Sequence, residues 1–229
     1  MAGSLERTLN RLRATPLSAT VQRALKHSDR SRGVYPALGE LARRYGGEPP
    51  DLTAYELRVF SQNGEDGVLA ELLRRTGVGG GGFVEFGAGD GGEGNTVFLA
   101  AVLGWPGVLI EPDAAAYAAL ERRHRANPRV RTLHAAVTAE NVEELFARAG
   151  VPEEPDVLSI DVDGNDYWIW RALERHRPRI VVIEYNGALD PAEPRVAPYR
   201  PDAGWDHSAG YGASLAALEA LGAVKGYAL

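Results

Sequence analysis

The stretch Phe83–Thr96, F-V-E-F-G-A-G-D-G-G-E-G-N-T, constrains this chain more than any other. Phe83 to Phe86 form a short apolar run that meets a glycine cluster, and a helical pattern follows from Val97 to Leu103. This order reads as strand, tight turn, helix. Glycine suits such a turn because it adopts positive φ without steric cost and lets a ligand approach the backbone. The helix behind it offers unpaired N–H groups and the positive end of its dipole. Glu85 at the strand end and Asp90 in the turn add negative charge. A bare glycine loop suits phosphate, whereas flanking carboxylates suit cationic or hydroxyl groups, as on a nucleoside without a pyrophosphate. Gly87, Gly89 and Gly92 also satisfy G-x-G-x-x-G, and Glu111 stands about 20 residues on, where a ribose-binding acid belongs. A glycine-rich connection with no ligand is the plain alternative.

The rest of the chain gives the turn its setting. Continuous apolar strands are expected at Phe83–Phe86, Val108–Ile110, Val130–His134, Val157–Ile160 and Ile180–Ile183. Helices are expected between them near 94–103, 114–126, 140–149 and 166–175, with another at Ala213–Leu221. Strands that are apolar throughout are buried on both faces, so the pattern predicts an α/β fold: a Rossmann-like, mostly parallel sheet with helices on both sides. Residues 1–55 read as an N-terminal helical appendage, a cap or subunit interface, with Leu5, Leu9, Leu12, Val21, Leu25, Leu38 and Leu41 at helical spacing. The main domain is expected over 56–229. Asn63 is placed as the cap of its first helix, with Asp66 three residues later. Residues 186–208 form a long connection, of the kind that is functional or mobile.

Composition excludes several chemistries. With no cysteine there is no thiolate nucleophile, no Cys-ligated zinc and no disulfide. Lysine occurs only at Lys26 and Lys225, which excludes a Walker lysine and the Tyr-x-x-x-Lys pair of short-chain dehydrogenases. Residues 1–50 carry a net +5 and the remainder −11. The basic arm lacks an aromatic platform and spreads its arginines at helical spacing, so it reads as a solvated helical face rather than a nucleic-acid binder. No apolar run reaches membrane-spanning length and Met1–Asn10 lacks a signal-peptide core, so a cytoplasmic protein without membrane attachment is expected.

Four expected strands finish in an acid: Glu85, Glu111 with Asp113, Asp161 with Asp163, and Glu184. Ligands of open parallel sheets bind beyond the carboxyl ends of the strands. One such acid is usually a helix cap. Four on one edge repel one another unless hydroxyls, a cation or a metal offset them. Asp161-Val162-Asp163-Gly164-Asn165-Asp166 is acidic enough for calcium, but the twelfth-position glutamate of an EF-hand is missing.

The segments F-S-Q-N-G-E-D, V-E-F-G-A-G-D-G, L-I-E-P-D, A-A-V-T, S-I-D-V-D-G-N-D-Y-W and V-I-E-Y-N together resemble the FkbM-type family of class I S-adenosylmethionine-dependent methyltransferases, from about Phe60 to Leu229. The glycine motif is common to all class I enzymes; the S-Q-x-G-E-D and D-x-D-G-N-D elements are more specific. The resemblance implies strand order 3-2-1-4-5-7-6 and methyl transfer to a hydroxyl of a small molecule or sugar. By position it implies a cofactor site of Gln62, Glu65, Glu85, Gly87, Gly89, Asn95, Glu111, Asp113, Ala136 and Asp161. It places Asp161, Asp163, Glu184 and Asn186 towards the acceptor. The chain is expected to stop at strand six, Val224–Leu229.

Such a reaction needs the acceptor aligned and its proton removed. Asp161, Asp163, Glu184 and His207 are the candidate bases. Alternatively Asp161, Glu184 and Asn186 hold Mg²⁺, which lowers the pKa of the acceptor hydroxyl. The expected partners are a small-molecule acceptor and further copies of the chain through the N-terminal helices. A nicotinamide oxidoreductase and a non-catalytic nucleoside-binding domain are the competing readings.

Overall fold

Glycine divides the chain before the first strand. The computed structural model describes residues 52–201 and 210–229, and the chain splits between Gly77 and Val78 into two compact units. The expected appendage 1–55 lies outside the described residues except for a 3₁₀ turn, Leu52–Tyr55.

In the first unit that turn is followed by helix α1, Glu65–Thr76. Its cap is Gly64, at φ 108°, rather than the expected Asn63. The reason is the partner chosen by Asp66. Its carboxylate accepts from the backbone N–H of Val59, Phe60 and Ser61 and from the Ser61 hydroxyl, at 2.7–3.0 Å. The loop is thereby wound around Asp66, and the turn at Gly64 needs a left-handed residue. Burial pushes the Asp66 carboxyl above its ordinary value, while the N–H donors pull the other way.

The second unit holds a five-stranded sheet, wholly parallel, in the order β3-β2-β1-β4-β5. The strands are β1 Phe83–Phe86, β2 Gly107–Glu111, β3 Val130–His134, β4 Val157–Ile160 and β5 Ile180–Ile183. Each apolar run therefore became a strand. The chain winds outwards from β1 through β2 and β3, then returns to lay β4 on the other side of β1. That places the topological switch point between β1 and β4.

Alternate residues of the strands face opposite layers. Val84, Phe86, Val108, Ile110, Leu158 and Ile160 enter the main core with three helices. In chain order after α1 and α2 (Ala114–His124), these are α3 Val142–Ala149, α4 Asp166–Ala172 and α5 Leu215–Lys225. The other face carries Phe83, Glu85, Leu109 and Ser159, all buried. There a helical segment ends in a π-helical turn, Leu99–Leu103, with Phe98, Leu99 and Val102 buried.

The end of the chain departs from expectation. Val224 belongs to α5, so Val224–Leu229 forms no sixth strand. Gly222 does not stop the helix: it lies inside it, where a Cβ would come within 3.1 Å of the Trp170 ring. Gly226, at φ 88°, is the stop, and the Tyr227 hydroxyl then donates to the Pro178 carbonyl at 2.6 Å. No helix among the described residues is long and apolar enough to cross a membrane.

Candidate functional site

The glycine turn after β1 is held from below by two carboxylates. Glu85, buried in the strand end, accepts from the Asn95 N–H at 2.8 Å and the Thr96 hydroxyl at 2.6 Å. Burial pushes its carboxyl up, and Thr96 and Asn95 oppose the shift. Glu111 closes β2 and accepts from the Gly89 N–H at 2.8 Å and the Asp113 N–H at 2.7 Å. Arg123 of α2 anchors the outer limb by donating to the Asp90 carbonyl at 3.0 Å.

Two glycines in this turn matter for different reasons. At Gly87, φ 67°, any Cβ would collide with the Asp161 carbonyl oxygen, so β1 and β4 close tightly at the switch point. At Gly89, φ 55°, a Cβ would meet nothing within 4 Å. The turn is therefore closed on its β4 side and open above Gly89.

Across the switch point the acids are in another state. Oxygens of Asp161, Asp163 and Glu184 lie within 4.8 Å of one another. Asp163 is the one described non-glycine residue with positive φ, 54°, a conformation that costs about 1 kcal/mol or more. The loop is folded around Asp166, which accepts from the N–H groups of Val162 and Gly164 at 2.9 and 3.0 Å. Burial pushes the Asp166 carboxyl up to about 6. Burial, then the charges of Asp161, Asp166 and Asp163, pushes Glu184 up to about 7. Its Oε1 accepts a long hydrogen bond from Tyr211 at 3.5 Å, and its Oε2 is buried without a partner. Asp161 joins the two halves: its charge raises both Glu85 and Glu184.

The connection after β5 closes one side of this edge. Asn165 Nδ2 donates to the Arg200 carbonyl at 2.8 Å, and Trp168 Nε1 donates to the Ala197 carbonyl at 2.9 Å. Tyr199 donates to Glu140 at 2.6 Å and accepts from the Ala139 N–H at 3.0 Å. The segment is thus fastened to the loops after both β3 and β4.

No protein-family model matches the chain, and no curated protein matches it. Solved structures do. The chain is similar to the mitomycin 7-O-methyltransferase MmcR at 18% identity, covering 90% of this chain and 54% of that one, with a TM-score of 0.40. An S-adenosylmethionine-dependent methyltransferase from Clostridium acetobutylicum ATCC 824 matches at 10% identity over 62% of this chain and 53% of that one, TM-score 0.35. The geranyl diphosphate C-methyltransferase from Streptomyces coelicolor A3(2), in complex with Mg²⁺, geranyl-S-thiolodiphosphate and S-adenosyl-L-homocysteine, matches at 17% over 72% and 63%, TM-score 0.33. This chain spans between 53% and 63% of the length of these three. At these TM-scores the likeness decides nothing about activity.

The residues singled out in the sequence divide by what occupies them. Glu85, Gly87, Gly89, Asn95 and Glu111 come together at the turn, with Asn95 also donating to Ser159 of β4 at 3.0 Å. Asp113 caps α2, accepting from the Ala115 and Ala116 N–H groups. Ala136 follows β3, its carbonyl accepting from Asn141 at 2.9 Å. Asn186 is buried and spends its amide on the Tyr211 carbonyl and the Ala188 N–H, both at 2.9 Å. Asp163 stands with Asp161 and Glu184, their oxygens within 4.8 Å of one another. Gln62 and Glu65 belong to the first unit, where Gln62 is exposed and Glu65 accepts from the Asn63 N–H at 2.8 Å. His207 lies outside the described residues. Sequence reasoning missed Tyr211, Ser159 and Asp166; the buried role of Asp166 was signalled only by its position opening α4.

Proposed function

We propose that the crevice at the β1–β4 switch point binds S-adenosylmethionine, and that the chain transfers its methyl group to a hydroxyl of a small molecule or sugar, as the FkbM-like motifs imply. The observation that carries this reading is the close approach of Gly87 to Asp161, which sets an acid cluster against an open glycine turn. A pyrophosphate would face repulsion from Asp161, Asp163 and Glu184. A sulfonium is attracted by them.

The residues present fit the cofactor. Each oxygen of Glu111 accepts one N–H, which leaves lone pairs for two vicinal ribose hydroxyls. The space above Gly89 admits a ligand against the backbone. When bound, the cofactor supplies a methyl carbon activated by positive sulfur. Glu184 then accepts the proton of the acceptor hydroxyl, because burial and three neighbouring acids raise it to the neutral range where a general base is most effective. Asp161 positions the acceptor between the two halves of the site.

A second reading of the same edge is favoured by the oxygens that converge within 4.8 Å. Asp161, Asp163 and Glu184 would hold a hard divalent cation such as Mg²⁺, which would lower the pKa of the acceptor hydroxyl. Calorimetry with S-adenosylhomocysteine, S-adenosylmethionine and NAD tests the cofactor. Binding of NAD with none of the other two would overturn the proposal. Activity lost in EDTA and restored by Mg²⁺ selects the metal route; activity retained selects Glu184 as a plain base.

A further inference from the structure

At the amino end of β5, on the edge of the sheet opposite the acids, lies a cavity of about 200 Å³. It is lined by Trp170 and Leu173 of α4 and its end, by His176 and Arg177 before β5, and by Lys225 and Tyr227 at the end of α5. Part of its wall is apolar: Trp170 and Tyr227 meet edge to face with ring centroids 5.6 Å apart, and exposed Val224 stands at the lining, while the rest of the wall is polar. Its charged groups are mixed, with Arg177 and Lys225 facing Glu174, and Glu143 held behind His176 at 2.6 Å. Arg177 is exposed, and no carboxylate forms an ion pair with it among the described residues. Lys225 donates to the Leu173 carbonyl at 2.7 Å and, at the limit of a hydrogen bond, to the Arg171 carbonyl at 3.5 Å. An ammonium has three donors, so at least one remains. Glu174 at the rim is the only acid in the lining.

We propose that this cavity binds a small oxyanion, a carboxylate or phosphate, carried on an apolar group. Arg177 and the remaining donor of Lys225 meet the anion, and Trp170, Leu173 and Tyr227 take the apolar part. Arg177 is close enough to repel the Lys225 ammonium, although burial is the largest cause lowering Lys225 and Glu174 opposes it more strongly than Arg177 adds to it; at Tyr227 burial outweighs Arg177. A bound anion relieves that repulsion. The site shares no residue with the acidic edge, so it stands or falls apart from the methyltransferase reading.

Benzoate and phenyl phosphate are the probes and benzyl alcohol the uncharged control, each titrated at constant ionic strength into the full chain while the Trp170 indole resonance is followed by NMR. Saturable shifts are expected with at least one anion and none with the alcohol. Arg177→Gln, at an exposed position, should weaken anion binding by about tenfold or more, the value of one charged hydrogen bond, and Arg177→Lys should recover part of it. No saturable shift with either anion, an equal shift with the alcohol, or unchanged affinity in Arg177→Gln would each overturn the proposal.

Discussion

The two halves of the crevice are built from the same residue type and put it to opposite use. On the β1–β2 side, each oxygen of Glu85 and Glu111 already accepts a donor, three of them from the turn itself and one from Asp113 at the start of α2. On the β4–β5 side, Asp161, Asp163 and Glu184 crowd together, and Glu184 keeps a buried oxygen with no partner. The first pair spends its charge on shape. The second group holds charge in reserve, and the strained backbone of Asp163 accompanies it.

Substitution should separate these uses. The largest effect is expected at Glu184. Glu184→Gln should cut methyl transfer by about 10²–10⁴-fold while leaving S-adenosylhomocysteine affinity within a few-fold by calorimetry. The parent rate should rise with pH through about 7, because Glu184 acts only when ionised. A loss of affinity as large as the loss of rate would erase the distinction between the halves.

Gly87→Ala should come next, as a loss of stability. It combines positive φ with a collision against the Asp161 carbonyl, which together should cost about 2–4 kcal/mol in denaturant unfolding. Gly89→Ala, with the same sign of φ but open space around it, should cost only the strain, about 1 kcal/mol. Equal losses at the two glycines would show that the β1–β4 closure is softer than its geometry.

Glu111→Ala should weaken cofactor binding by about 1.5–3 kcal/mol, the value of hydrogen bonds to a charged acceptor, and should free the Gly89 N–H. Unchanged affinity would remove Glu111 from the site.

One small effect runs in the opposite direction. Glu184 is raised from 4.5 to about 7 on folding, so the folded chain binds its proton more tightly than the unfolded chain does. Its stabilising contribution is complete below pH 4.5 and is lost as pH rises through about 7. Glu184→Gln should therefore raise stability at pH 8, by roughly 1–2 kcal/mol once partial exposure is discounted, and change little at pH 4. A variant that gains stability as it loses turnover would mark Glu184 as held for chemistry. Loss of stability at pH 8 would make it structural.

Local chemistry explains how much of this could be read in advance. β1, β2 and β4 were legible because burial on both faces makes each a nearly continuous apolar run, whereas β3, with Arg131 and Thr132, is partly exposed; the acids ending four of the five strands pointed to the edge that matters. Caps were less legible, since they turn on a choice of partner: Asp66 took Ser61 and three backbone N–H groups, and Gly64 became the cap in place of Asn63. The sixth strand was misread because Gly222 has the look of a helix end; only the Trp170 ring lying over it gives that glycine its place inside α5. Tyr211 and Tyr199 were illegible for the simplest reason. Their partners stand 27 and 59 or 60 residues away, and no periodicity carries such a pairing.

The segment fastened through Ala197, Tyr199 and Arg200 has a consequence for how such a chain can change over generations. It contributes no strand to the sheet, and its ties reach the loops after β3 and β4, Trp168 of α4, and the residues leading into α5, where the Ala197 N–H donates to the Gly212 carbonyl at 2.8 Å and Val196 bridges Ala213; none of these belongs to the glycine turn. New side chains between Gly187 and Val196 would therefore leave the glycine turn and its two supporting carboxylates undisturbed. On the methyltransferase reading proposed above, a lineage can rewrite what borders the acidic edge while inheriting the other half of the crevice intact, so a shift of acceptor need not pass through an ancestor that has lost cofactor binding.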